Sequence, residues 1–134
     1  MAFSVELIYI EEAEKSLGLT FPPLFKAKLA KENGGEIDAD DGYWKFYPVM
    51  DKLNRERIRR TSNDILHETK RAKEWNGFPI NAIAIGDNDE GDLLILQTDG
   101  KHSTQLSESI YLWSHETGEV RLLATSIEVL LSSD

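Results

Sequence analysis

Three histidines, His67, His102 and His115, lie far apart in the chain, and no two share the i,i+4 spacing that sets a metal-binding pair on one helix face. There is no cysteine, which excludes thiolate zinc sites, iron–sulfur clusters, disulfides and cysteine nucleophiles. The run Asp87-Asn88-Asp89-Glu90-Gly91-Asp92 offers oxygen ligands at alternate positions, as a calcium loop does. Its glycine comes at the fifth position rather than the sixth, however, and Thr98 stands where a bidentate Glu is needed, so a hairpin turn is the better reading. Ser114-His115-Glu116 contains the residue types of a hydrolytic triad. Adjacent residues cannot bring nucleophile, base and orienting group within mutual reach, and no Gly-x-Ser-x-Gly turn is present. Asn33-Gly34-Gly35 lacks the Lys-Ser/Thr of a phosphate loop and sits where a helix ends, whereas phosphate binding needs a helix start. No catalytic residue or metal ligand is therefore expected, and an enzyme is the disfavoured class.

Binding is the remaining chemistry. The 134 residues carry a formal net charge of −9, which disfavours broad nucleic-acid binding, since affinity for phosphates comes from cations. The charge is uneven. Segment 51–75 gathers Lys52, Arg55, Arg57, Arg59, Arg60, Lys70, Arg71 and Lys73 and is net positive. It reads as a solvated helical face with partners such as Glu56–Arg60, with a small local nucleic-acid site as the alternative. Of the three tryptophans, Trp113 lies in an alternating strand and reads as core. Trp44, beside Tyr43 and the acidic residues Asp38, Asp40 and Asp41, is the one expected to meet a partner.

The elements that must position these residues follow from local signals. Residues 5–17 read as a helix, with Ser4 as its N-cap and Gly18 as its left-handed stop. Phe21-Pro22-Pro23 forces an extended lead into a second helix, which buries Phe25 and Leu29, turns Lys26, Lys28 and Lys31 outward, and ends at Asn33-Gly34-Gly35 with Gly34 as its cap. A strand starts at Ile37. Tyr43 to Tyr47 forms another, with Trp44 and Phe46 on one face. Met50 to Trp75 is helical in two pieces broken at Thr61-Ser62-Asn63; Leu53 and Ile58 are weak anchors for the first piece, and Ile65, Leu66, Thr69 and Ala72 are better ones for the second. Ala82–Ile85 and Leu93–Leu96 are buried strands around a polar turn. Ser109–Ser114 and Glu119–Leu123 form a hairpin, and Ser126 caps a last helix. Helices first and a meander later argue for an α+β fold: one domain over 1–134, a mostly antiparallel sheet of about five or six strands, and helices at both chain ends. Leu17, Phe25, Leu29, Ile83, Ile85, Leu94, Leu96, Trp113 and Leu130 are its expected core.

The order of these signals resembles one family. Ile10-Glu11-Glu12-Ala13-Glu14-Lys15-Ser16-Leu17-Gly18, then Phe21-Pro22-Pro23, then Asn33-Gly34-Gly35 is similar to the opening of the SUKH superfamily, the Smi/Knr-type proteins. Ile83-Ala84-Ile85-Gly86-Asp87 with Gly91-Asp92, Ser109-Ile110-Tyr111-Leu112-Trp113, and Ala124-Thr125-Ser126-Ile127-Glu128-Val129-Leu130 resemble its later blocks. Phe21 stands where the family usually carries Leu. The resemblance implies a non-enzymatic binding protein with no cofactor. Within it the leading expectation is a bacterial immunity protein that neutralises a toxin domain, such as a nuclease; the alternative is a regulatory or scaffold module like the fungal cell-wall regulators. The opening residues lack a basic n-region and no stretch approaches ~20 apolar residues, so neither a signal peptide nor a membrane span is expected and the cytoplasm is the expected location. If the loops 38–41 and 87–92 meet at one edge, Asp38, Asp40, Asp41, Tyr43, Trp44, Asp87, Asp89 and Glu90 form the partner-binding surface.

Overall fold

The computed structural model describes residues 3–39, 42–98 and 103–132. Its elements are α1 (Leu7–Leu17), α2 (Pro23–Lys31), β1 (Glu36–Ala39), β2 (Gly42–Phe46), α3 (Arg55–Arg60), α4 (Ile65–Ala72), β3 (Ala82–Asp87), β4 (Leu93–Gln97), β5 (Ile110–Trp113), β6 (Val120–Ala124) and α5 (Ile127–Ser132). The strands form one six-stranded sheet in sequence order, each pairing antiparallel with its neighbours. The sheet curls, and α5 touches both edge strands, β1 and β6. This is the α+β architecture expected from the chain's signals, with helices near both termini.

Local chemistry explains most boundaries. Gly18 closes α1 at φ 71°, donating its N–H to the Glu14 carbonyl. The Glu14 carboxylate also accepts from the Phe21 N–H at 2.8 Å and pairs with Lys26 at 3.1 Å, clamping the two helices at their corner. Pro23 begins α2, where its missing N–H costs nothing. The next N–H, of Leu24, is satisfied from across the molecule by the Glu108 carboxylate at 3.1 Å. Asp64 caps α4, and Ser126 caps α5 by accepting from the Val129 N–H at 3.3 Å. No side chain caps α1; Glu6 is its N-cap residue and Ser4 lies outside it.

The core holds Phe25, Leu29, Ile83, Ile85, Leu94, Leu96, Trp113 and Leu130, as patterning requires, whereas Leu17 is only partly buried at the end of a surface helix. All of Leu93–Leu96 is buried, so β4 is covered on both faces. Leu53 and Ile58 are exposed and α3 buries no residue. Polar bonds hold that segment instead. Asp51 accepts from Arg57 at 2.9 Å and from the Leu53 N–H at 3.0 Å, and the Thr61 hydroxyl accepts from the Asp51 N–H at 3.0 Å. The guanidinium groups of Arg57 and Arg60 stack over the Phe3 ring at 4.1 and 4.6 Å.

Two expectations about α2 are corrected. The helix closes at Lys31 with Glu32 extended after it, so Gly34 is not its cap; Gly34 and Gly35, at φ 111° and 94°, instead make the turn into β1. Lys28 does not face solvent. It is buried, donates to the Gly34 carbonyl, and lies 4.4 Å from the centre of the Phe46 ring, with Glu32 at 3.9 Å. A helical periodicity cannot reveal that the turn after the helix folds back over one of its lysines. Burial lowers the Lys28 pKa to about 8, against a smaller opposing effect of the Glu32 charge.

The sign of the pH dependence follows. Between about pH 8 and 10.5 the unfolded chain keeps the Lys28 proton that the folded chain has lost, so stability rises with pH across that window. Relative to Lys28→Met, the wild-type protein should gain about 2 kcal/mol of unfolding free energy between pH 7.5 and 10. Urea unfolding of both proteins at the two pH values measures this, and a constant difference would refute it.

Candidate functional site: the acidic end of the sheet

β2 and β3 join through two register pairs, Lys45 with Asp87 and Phe46 with Gly86. Because the strands are antiparallel, the chain leaving Asp87 runs toward the start of β2. The β3–β4 turn and the β1–β2 hairpin therefore emerge at the same end of the sheet. Gly86 makes this approach possible: a Cβ there would stand 2.6 Å from the Lys45 carbonyl oxygen. An ion pair at 3.4 Å between Lys45 and Asp89 ties the turn to β2.

The turn is built by its own side chains. Asp87 accepts from the Asp89 N–H at 3.0 Å, and Asn88 accepts from the N–H groups of Glu90 at 2.9 Å and Asp92 at 3.2 Å. Asp89 takes φ 64°, a conformation Asp tolerates better than most residues with a Cβ. The second Asp87 oxygen receives the Tyr47 hydroxyl at 2.6 Å. Tyr47 is buried, and burial followed by that hydrogen bond raises its pKa. Tyr43 lies on the opposite side of β2 from Trp44, exposed, with its hydroxyl donating to Glu36. That hydrogen bond comes first among the causes that push its pKa up to about 12, followed by slight desolvation and the negative charges of Glu36, Asp89 and Asp38. The phenol thus feels carboxylates from both loops.

Of the residues expected to bind a partner, Asp38, Tyr43, Asp87, Asp89 and Glu90 gather at this end of the sheet. Asp40 and Asp41 lie outside the described residues. Trp44 is corrected: at 2 % exposure it belongs to the core, on the same face of β2 as Phe46, and offers no surface to a partner. The alternation of β2 already placed it with Phe46; its acidic neighbours are adjacent in sequence but face elsewhere. Lys45, Glu36 and Trp75 belong to this region and carried no sequence signal strong enough to single them out.

The chain matches the SMI1 / KNR4 family (SUKH-1) over residues 5–133. It belongs to that family. No curated protein matches it.

SUKH-1 is a non-catalytic family, which accords with the surface just described. Among the described residues no three His, Asp or Glu side chains gather as a metal would need. His67 pairs with Asp64, the cap of α4, and His115 lies 3.2 Å from Asp92. Ser114 exchanges backbone hydrogen bonds with Gly118 and Glu119, so Ser114-His115-Glu116 is turn chemistry in the β5–β6 hairpin. No helix among the described residues is long and apolar enough to cross a membrane. What this SUKH-1 domain presents is an acidic end of a sheet with an exposed tyrosine and a turn braced by its own side chains.

If Gly86 sets that geometry, Gly86→Ala should cost about 1–3 kcal/mol, because the Lys45 carbonyl must move away. It should also loosen the Lys45–Asp89 contact. Chemical denaturation measures the first and amide exchange across β2 and the turn the second. Unchanged stability would mean that β2 yields freely at the junction.

Proposed function

We propose that this SUKH-1 domain is an immunity protein that binds and neutralises a toxin domain in the cytoplasm of the cell producing it. Family membership supports a protein-binding role. The observation that carries the finer reading is the convergence of Glu36, Asp38 and Asp89 around the exposed Tyr43, with Glu90 on the same turn as Asp89, on a chain of net charge −9. Carboxylates displayed on a rigid turn occupy the positions that phosphates take in a cationic cleft, and a nuclease offers such a cleft. Tyr43 supplies desolvated contact at the centre, and the surrounding charge steers approach.

This division of labour is measurable with the toxin domain that the proposal expects the neighbouring gene to encode. Steering is screened within about 8 Å at physiological ionic strength. Raising salt from about 50 to 500 mM should slow association roughly tenfold or more while dissociation changes less. Neutralising Asp38, Asp89 and Glu90 together should mimic high salt, and Tyr43→Ala should act mainly on dissociation. Stopped-flow kinetics decides: a complex with salt-independent association that tolerates all four changes is incompatible with the proposal.

A further inference from the structure

Beside the acidic end of the sheet, a slot of about 230 Å³ opens between α4 and the β3–β4 turn. Leu93 and Tyr47 line it from the sheet, and Trp75, just beyond α4, forms an aromatic wall. Trp75 is 42 % exposed, yet it is not loose: its ring stacks on buried Trp113 at 5.7 Å and 27°. Trp113 is itself fixed by Phe78, edge-on at 5.3 Å, and by donating its indole N–H to the Gly77 carbonyl at 3.1 Å. Asp87 and Asp89 edge the slot from the turn. Glu68 edges it from the helix and is paired with Arg71 at 3.5 Å, and Asp89 is paired with Lys45 at 3.4 Å, so the three carboxylates face two cations and Asp87 carries the negative excess.

We propose that this slot receives an arginine side chain projecting from the partner protein. The aromatic wall and the carboxylates are what that side chain needs together. A guanidinium stacks on an indole face, and its planar fork matches carboxylate oxygens in two directions. Its methylene stem packs on apolar surface such as Leu93. Charge complementarity selects the occupant: an acidic side chain would meet Asp87 and Asp89, and an aliphatic one would strip water from them without replacing its hydrogen bonds. The inference rests on the reading that the acidic end of the sheet meets a partner protein, and it names the chemistry that partner presents next to Tyr43.

The probe is the blocked peptide acetyl-Gly-Arg-Gly-amide, titrated into the full-length, nitrogen-15-labelled protein. Its neutral isostere, with citrulline in place of arginine, is the control. The Trp75 indole signal, assigned with Trp75→Phe, and the Gly91 amide should shift and saturate with a Kd in the millimolar range, on the order expected of a single side chain. The citrulline peptide should bind at least fivefold more weakly. Asp89→Asn, a near-isosteric change at a position whose φ of 64° asparagine also tolerates, should weaken the arginine peptide severalfold. A Trp75 signal that stays still, or moves equally with citrulline, overturns the slot. The two readings fail separately. Peptide binding without capture of the neighbouring toxin removes the immunity proposal alone. Toxin binding that is indifferent to Trp75→Phe and Asp89→Asn, with no peptide binding, removes the slot alone.

Discussion

The junction of β2 and β3 joins an N-terminal hairpin to a C-terminal meander through two paired positions, and the rest of the structure depends on it. The Tyr47 N–H extends the ladder by donating to the Ile85 carbonyl at 2.8 Å, and then Pro48 ends the strand. Below that point β3 would be left with unpaired backbone groups on its β2 side. Here α4 steps in: the Ala84 N–H finds the Thr69 hydroxyl at 2.9 Å, and the Ile65 N–H at the start of the helix donates to the Pro48 carbonyl at 2.8 Å. One short pairing thus determines where the helix lies, how the sheet continues, and why two acidic loops share an end.

Buried polar groups do much of the joining where apolar anchors are scarce. Asn33 imitates a strand neighbour, accepting from the Val49 N–H at 2.8 Å and donating to its carbonyl at 2.9 Å. Lys28, buried against Phe46, fastens α2 to the turn at Gly34. The Asp51–Arg57–Thr61 bonds shape a stretch whose exposed Leu53 and Ile58 contribute little. Each such bond adds little net stability, but leaving either partner unpaired in the interior is costly, so these contacts select one arrangement of the segments.

Function follows from the same economy of parts. A non-catalytic SUKH-1 domain needs no cleft with an activated nucleophile; it needs a surface that holds its shape before the partner arrives. The side-chain bonds of Asp87 and Asn88 brace the β3–β4 turn, and the stacked Trp113 ring backs Trp75. In the proposed complex, carboxylates and an exposed tyrosine braced in this way would lose little entropy on binding.

The amino-acid sequence by itself determined what a few neighbouring residues can decide. Gly18 stops a helix because only glycine takes that φ cheaply, Pro23 opens one because it has no N–H to lose, and Leu93–Leu96 declares a strand covered on both faces. The order of helix and strand signals gave away the α+β class, and the ordered motifs from Ile10 to Leu130 pointed to the family. Tertiary structure alone decided which side chains those elements bring together. Lys28 reads as a surface lysine until the turn at Gly34 folds over it, and Trp44 reads as a partner contact until β2 turns its indole inward. Trp75, Asp87 and Asp89 become neighbours of one slot only because α4 packs beside β3. The physical reason is the range of the forces. Caps, turns and alternation act within a few residues, whereas burial and charge proximity depend on contacts between segments tens of residues apart, whose pairing the chain resolves only by folding.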